Sequence, residues 1–404
     1  MLRLLVVVPF SPRLDAPHGG RVIAQLLAHL AVRHRLALVY LRRPGSPPVD
    51  EALSSHVELV EEVPLPSPRP FGARWQRRRQ VLTAPLRTIP SPAAVTFDRQ
   101  LGRTVAAVAT RWRPDVVQVE HDALAYCAHF MGAAAPARVL VCHEPGAHAA
   151  ADLADATRGR QRLAHRVDAW TWRRYWARTI PSFDAVVTFS ERDRKVMAGA
   201  APTARIVAIP LGLDVPSQAL RPVRGTRHDI VFVGGYTHPP NADAALRLIR
   251  SIVPRVRVQV DDVRLHLVGD APTADMLRAA GLDDTITGRV EDVRPYLERA
   301  QLVVLPLRLG GGTRVKLLEA LAAGKAVVAS PLATAGVDVT DGEQLVLADT
   351  DDEFADAIVA LLRDDARRGA LGRAARSWAV ANLGWDARVR EYEALYRSVL
   401  DARS

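Results

Sequence analysis

Residues 302–330 read Leu302-Val-Val-Leu-Pro-Leu-Arg-Leu-Gly310-Gly-Gly-Thr-Arg-Val-Lys-Leu-Leu-Glu-Ala-Leu-Ala-Ala-Gly324-Lys-Ala-Val-Val-Ala-Ser330. The apolar runs 302–305 and 326–329 are too short for helices, and a helical pattern lies between them. Strand, glycine turn, helix and strand make one βαβ unit, which implies a parallel sheet. The glycines at 310–312 let backbone amides approach a ligand, and a helix starting near Thr313 points its positive end at the same spot. Arg314 supplies a guanidinium able to fork two oxygens, and Lys316 a mobile point charge. Glu319 falls seven residues after Gly312, two turns further along the same face, where a carboxylate can accept from a pair of hydroxyls. The order is that of a nucleotide site: phosphate at the helix start, ribose hydroxyls beyond it. The plainer alternative is a flexible loop followed by a solvated Lys316–Glu319 pair. The convergence of glycines, cations and a helix start favours the ligand site.

The pattern repeats on both sides. In the first half, 2–9, 36–41, 57–63, 116–119, 138–141, 185–189 and 205–209 read as strands, and 20–32 as the helix linking the first two. In the second half, 230–233, 264–268, 285–287, 302–305, 326–329 and 344–347 read as strands with helices between them. The stretch 214–228 is polar, with Pro216, Pro222 and Gly225, and reads as a linker. This predicts an α/β protein of two doubly wound, Rossmann-like domains facing a central cleft: 1–213, then 229–384. A helical tail, 385–404, is expected to pack back toward the first domain through Trp385, Tyr392 and Tyr396. A chain of 404 residues suits two such cores. With 49% hydrophobic and 24% charged residues it is not a disordered chain. Two cysteines, Cys127 and Cys142, exclude a disulfide framework and a cysteine-only zinc cluster. No apolar run is long enough to span a bilayer, and the first ten residues read as a strand and not as a signal peptide.

Charge divides unevenly. Residues 1–210 hold 29 Lys+Arg against 17 Asp+Glu, a balance of +12, so the remainder of the chain is −2 within the total of +10. A basic first half implies an anionic partner there. Two runs supply much of it. Residues 69–79 contain Arg69, Arg74, Arg77, Arg78 and Arg79 with Trp75 and no acid. Residues 158–178 contain seven arginines, Arg173 and Arg174 among them, against Asp168 alone, interleaved with Trp170, Trp172, Tyr175 and Trp176. Such faces suit an anionic membrane or a lipid-linked acceptor. The alternative for the aromatics is a helix burying Leu163, Val167, Trp170 and Tyr175 while its arginines meet solvent. Nothing resembles a nucleic-acid-binding motif, and no nucleic-acid partner is expected.

The run Gly311-Gly-Thr-Arg-Val-Lys-Leu-Leu-Glu-Ala-Leu-Ala-Ala-Gly-Lys-Ala-Val-Val-Ala-Ser330 resembles the signature of the family 4 glycosyltransferases, above all the subgroup that makes exopolysaccharides. The resemblance extends through Phe232-Val-Gly-Gly235, Pro239-Pro-Asn241, Leu267-Val-Gly269, Gly288-Arg-Val-Glu-Asp292, Ala370-Leu-Gly-Arg-Ala-Ala-Arg376 and Trp385. It implies a GT-B fold, a nucleotide-sugar donor held by the second domain, retention of anomeric configuration, and no metal or further cofactor. Glu319 would then hold the donor ribose, Arg314 and Lys316 would neutralise the diphosphate, and Gly234, Gly235, Gly311, Gly312 and Thr313 would line the donor. Two positions depart from the family pattern. Gly311 stands where many members have a carboxylate, and the turn Gly234-Gly-Tyr-Thr-His-Pro-Pro-Asn241 lacks the usual basic residue. Arg314 and Lys316 are expected to replace that residue, and Asn241 to cap a helix over 242–252.

In the first half, Gly19 and Gly20 follow the first strand and resemble the family's glycine-rich loop toward the diphosphate; an ordinary βα turn reads the same way. Glu120-His121-Asp122 and His143-Glu144 follow later strands. By resemblance Glu120, His121 and His143 are candidates for contact with the reacting sugar or acceptor. The alternatives are that His121 or Asp122 caps the next helix and that Glu120 anchors a hydrogen bond. The resulting expectation is a cytoplasmic enzyme, peripheral to the inner membrane face, that takes a nucleotide-sugar donor and a sugar or lipid-linked acceptor. Its rivals are a nucleotide-sugar epimerase and a non-catalytic sugar-nucleotide-binding subunit.

Overall fold

The computed structural model describes residues 1–15, 19–65, 89–132, 136–220, 228–310 and 314–403. The chain forms two compact units. One comprises Met1–Gly212 with Trp385–Ser404, the other Leu213–Gly310 with Arg314–Gly384.

The first unit carries seven strands: β1 (Arg3–Val8), β2 (Arg35–Arg42), β3 (Leu59–Pro64), β4 (Val116–Glu120), β5 (Ala137–Cys142), β6 (Ala185–Thr188) and β7 (Ile206–Ala208). Their order is β3-β2-β1-β4-β5-β6-β7, and every pairing is parallel. Central strands of such a sheet are covered on both faces, so they are continuously apolar; in β1, residues 4–8 are at most 1% exposed. The helix Gly19–Ala31 returns the chain from β1 to β2. The closing helix Trp385–Asp401 belongs to this unit. Trp385 stacks on His29 at 5.6 Å and covers Gly212, where an added Cβ would lie 2.5 Å from the indole. Glu393, buried, accepts from Arg33 Nε at 2.8 Å and Nη2 at 3.0 Å and lies 3.1 Å from His34.

The second unit carries β8 (His228–Val233), β9 (Val263–Val268), β10 (Asp284–Ile286), β11 (Leu302–Leu305), β12 (Ala326–Ala329) and β13 (Val346–Leu347). The order is β10-β9-β8-β11-β12-β13, again all parallel. In each unit the winding reverses once, between β1 and β4 in the first and between β8 and β11 in the second. At such a reversal the loops leaving the two strands diverge to opposite faces and leave a crevice at their carboxyl ends, where ligands of this fold bind.

Two local expectations need correction. Asn241 is not a helix cap. The helix runs Pro239–Arg247 and is led by His238, because Pro239 and Pro240 fill its first positions with a preset φ. Asn241 therefore lies inside the helix. In the long basic helix Gly159–Thr179, the buried face is Ala169, Trp172, Tyr175 and Trp176, whereas Leu163 is 64% and Trp170 44% exposed. Val167 is half-buried. Arg69, Arg77, Arg78 and Arg79 lie outside the described residues.

Candidate functional site

In the second unit, the side chains singled out by sequence gather at the reversal between β8 and β11. β8 runs into Gly234 and Gly235, and beyond β11 Arg314 leads the helix Val315–Ala322. Lys316 Nζ donates to Asn241 Oδ1 at 2.5 Å, and Asn241 Nδ2 donates to the Gly235 carbonyl at 2.8 Å. The ammonium also stands 4.4 Å above the centroid of the Phe232 ring. Gly234 makes room for this meeting. A Cβ there would fall 2.9 Å from Asn241 Cγ and 3.0 Å from Lys316 Nζ. Gly269, at φ 148, lies so close beneath that an added Cβ would sit 2.1 Å from the Gly234 carbonyl oxygen. The glycine of Leu267-Val-Gly269 thus has a steric reason.

Burial pushes the Lys316 ammonium down to about 7, the neighbouring charge of Arg314 adds to this, and Glu319 opposes it. Arg314 is buried, with its guanidinium beside Gly310, whose φ of 95 excludes most other residues. Glu319 is half-buried one turn beyond Lys316. Gly311, Gly312 and Thr313 lie outside the described residues. Two cations held close together without full solvation form a site that gains by receiving an anion. Sequence reading missed three of its supports: Asn241 as the partner of Lys316, Phe232 beneath it, and Arg247. Arg247 is buried and ties the chain after β11 in place, donating to Pro306 O at 3.1 Å and to Asp351 at 2.6 Å. An arginine among Ala244, Ala245 and Leu248 on a buried helix face was the available signal.

In the first unit, Glu120, His121 and His143 also come together, at the ends of β4 and β5. His143 Nε2 lies 2.6 Å from Glu120 Oε2. The other carboxylate oxygen accepts from Gln118 Nε2 at 2.6 Å, and Tyr396 Oη donates to Gln118 Oε1 at 2.5 Å. The His121 ring stacks on that of His143 at 3.9 Å, flanked by Phe10, and Phe189 packs edge-on against His143. Burial raises Glu120 to about 7 and pushes His143 down to about 3. Burial, reinforced by His143, also lowers His121. Both imidazoles are therefore neutral near pH 7, suited to orienting hydroxyls and poor as proton acceptors.

His121 has φ 70, a strained backbone for a residue with a side chain, and its ring makes no cap to the turn Asp122–Phe130. Nor does Asp122 serve as that cap; its buried carboxylate accepts from Trp176 Nε1 at 3.0 Å. Gly19 and Gly20 open the helix after β1. Ahead of them Arg13 is engaged by Asp15 at 2.7 Å and by the Pro48 carbonyl at 2.7 Å. Among the described residues no group of three His, Cys, Asp or Glu is placed to hold a metal ion.

Two parallel-sheet Rossmann-like units, the second with its polar residues at the reversal of strand order and the first with them at the ends of β4 and β5, have the architecture of the GT-B class of α/β proteins. The comparisons with known proteins fall in the same class. Residues 227–364 match the family model described as glycosyl transferases group 1. A GDP-mannose-dependent alpha-(1-6)-phosphatidylinositol monomannoside mannosyltransferase of Mycobacterium tuberculosis is 30% identical over 227 residues, covering 50% of this chain and 58% of that one. The chain thus spans little more than half the length of the curated relatives it matches. A sucrose-phosphate synthase of Thermosynechococcus elongatus shares the fold over 99% of this chain and 100% of its own, with a TM-score of 0.74 at 17% identity. The Anabaena protein HepE, solved with UDP and glucose, does so over 98% and 100%, with a TM-score of 0.63 at 14% identity.

Proposed function

We propose that the chain is a glycosyltransferase that moves a sugar from a nucleoside-diphosphate donor to an acceptor hydroxyl, with retention of anomeric configuration and without a metal ion. The observation that carries the reading is a coincidence of place. The segment matching the glycosyl transferase model contains the cations Arg314 and Lys316, the latter held by Asn241, at the position where this fold takes its ligands.

The chemistry follows from charge. Transfer breaks the bond between the anomeric carbon and a diphosphate oxygen, so negative charge grows on the leaving group. Arg314 and Lys316 neutralise that charge in the place a metal would otherwise take. Glu319, one turn further in, accepts from the ribose hydroxyls. On the acceptor side, neutral His121 and His143, held by Glu120 and Gln118, orient sugar or acceptor hydroxyls. The departing phosphate takes the acceptor proton, so no protein nucleophile is required. The similarity to a phosphatidylinositol mannoside mannosyltransferase favours a glycolipid or lipid-linked glycan as acceptor, at the inner face of the membrane.

The test is calorimetry of the full chain against UDP, GDP, ADP and TDP in chelator, with Glu319→Ala beside it. Selective binding of one diphosphate, weakened in the variant, is expected. Absence of binding to all four would remove the donor-site assignment.

A further inference from the structure

The long helix Gly159–Thr179 has an inverted surface. Its apolar, aromatic face is already used: Trp172, Tyr175 and Trp176 are at most 4% exposed, and Trp172 packs on Gly146, where an added Cβ would lie 2.3 Å from its indole. The orientation of the opposite face is thereby fixed. On that face Leu163, Trp170 and Ala177 recur every seven residues and stand in line, a ridge of about 21 Å at 1.5 Å per residue. By the same helical geometry Arg162, Arg166 and Arg173 run along one side of the ridge and Arg160 and Arg174 along the other. All five are exposed, and the Arg174 guanidinium lies 4.9 Å over the Trp170 ring. The single acid of the helix, Asp168, points elsewhere and accepts from the Ser91 backbone N–H at 2.8 Å.

We propose that this face docks on an anionic lipid surface, with Leu163 and Trp170 entering between headgroups and the two arginine rows pairing with lipid phosphates. Each part of the face favours that occupant. An indole with a basic rim is suited to the headgroup level, and arginine stems bury along apolar surface while their heads stay with phosphate. A second copy of the same face would bring like charges together. A nucleic-acid backbone would satisfy the arginines but leave the Leu163–Trp170 ridge facing phosphate. No described helix is long and apolar enough to cross a membrane, so the contact is one of surface. Binding here requires neither donor nor turnover and is independent of the transferase reading.

The experiment is flotation of the full chain with phosphatidylcholine vesicles, alone or with phosphatidylglycerol in a two-to-one ratio, over a salt series. The native chain should float only with the anionic vesicles and less so as salt rises. Leu163→Asn/Trp170→Ser should abolish flotation. Arg166→Glu/Arg173→Glu should weaken partition by about thirtyfold or more, taking roughly fivefold for each arginine removed and a further penalty for each carboxylate added. Because all four side chains are exposed, circular dichroism and the unfolding midpoint should match the native chain. Undiminished flotation of both variants would overturn the proposal. So would a dimer in light scattering that Leu163→Asn/Trp170→Ser dissolves, or RNA binding that the arginine variant abolishes while vesicle binding persists.

Discussion

Replacing Lys316 by arginine should uncouple nucleotide binding from pH. In the native chain burial and Arg314 hold the Lys316 ammonium at about 7, against an ordinary 10.5. A bound diphosphate adds counter-charge to that of Glu319 and returns the value toward the ordinary one. The free site prefers the neutral amine and the bound site the ammonium, so binding takes up a proton wherever the free amine is neutral. At pH 8 about one-tenth of the free sites are protonated, so about 0.9 proton enters with each nucleotide; at pH 6 the figure falls to about 0.1. Affinity should therefore weaken by almost tenfold per pH unit from about 7.5 to 9.5, above the range in which the nucleotide's own terminal phosphate titrates. Arginine stays charged throughout, so Lys316→Arg should show no such slope and no uptake. The assay is calorimetry in buffers of unequal ionisation enthalpy at pH 6, 7, 8 and 9. Heats independent of buffer at pH 8 in the native chain, or an uptake that survives in Lys316→Arg, would rule out Lys316 as the group that takes up the proton.

Three further outcomes follow from particular contacts. Gly269→Ala should cost about 2 kcal/mol or more and weaken nucleotide binding, because its Cβ meets the Gly234 carbonyl at 2.1 Å; equal urea midpoints for variant and native chain would contradict this. His121→Gly should abolish transfer while costing less stability than loss of a packed ring ordinarily does, since relief of a backbone strain of about 1–3 kcal/mol offsets part of the lost burial. A marked drop in the midpoint would make His121 a packing residue. Tyr396→Phe should lower stability by about 1–3 kcal/mol by leaving the buried Gln118 carbonyl without its donor, with nucleotide affinity unchanged; an altered nucleotide affinity would show that the two sites are coupled.

The strands were legible because parallel strands buried on both faces must be short unbroken apolar runs, and β11 and β12 lie where 302–305 and 326–329 place them. Strand order was not legible. Periodicity says that β8 and β11 exist, but only long-range pairing makes them neighbours, and that adjacency brings Gly234 and Asn241 to Lys316. Asn241 misled because Asn before an apolar stretch is a cap signal, whereas the preceding prolines had already started the helix. Trp170 misled because an arginine-rich helix with four aromatics offers more than one apolar face, and only the packing partners decide which is buried. Glu120, His121 and His143, candidates by resemblance at the ends of strands, do lie together. The Gln118–Tyr396 link behind them joins residues 278 apart and left no local trace.

The proposed activity is tested most directly by sugar transfer itself. The full chain, with chelator present, would be incubated with labelled UDP- and GDP-sugars and a bacterial lipid extract, and any product linkage read by NMR. A retaining transferase should turn one donor into its nucleoside diphosphate and a lipid-linked product that keeps the donor's anomeric configuration. Tight nucleotide binding with no sugar transferred, or a product of inverted configuration, would exclude that activity.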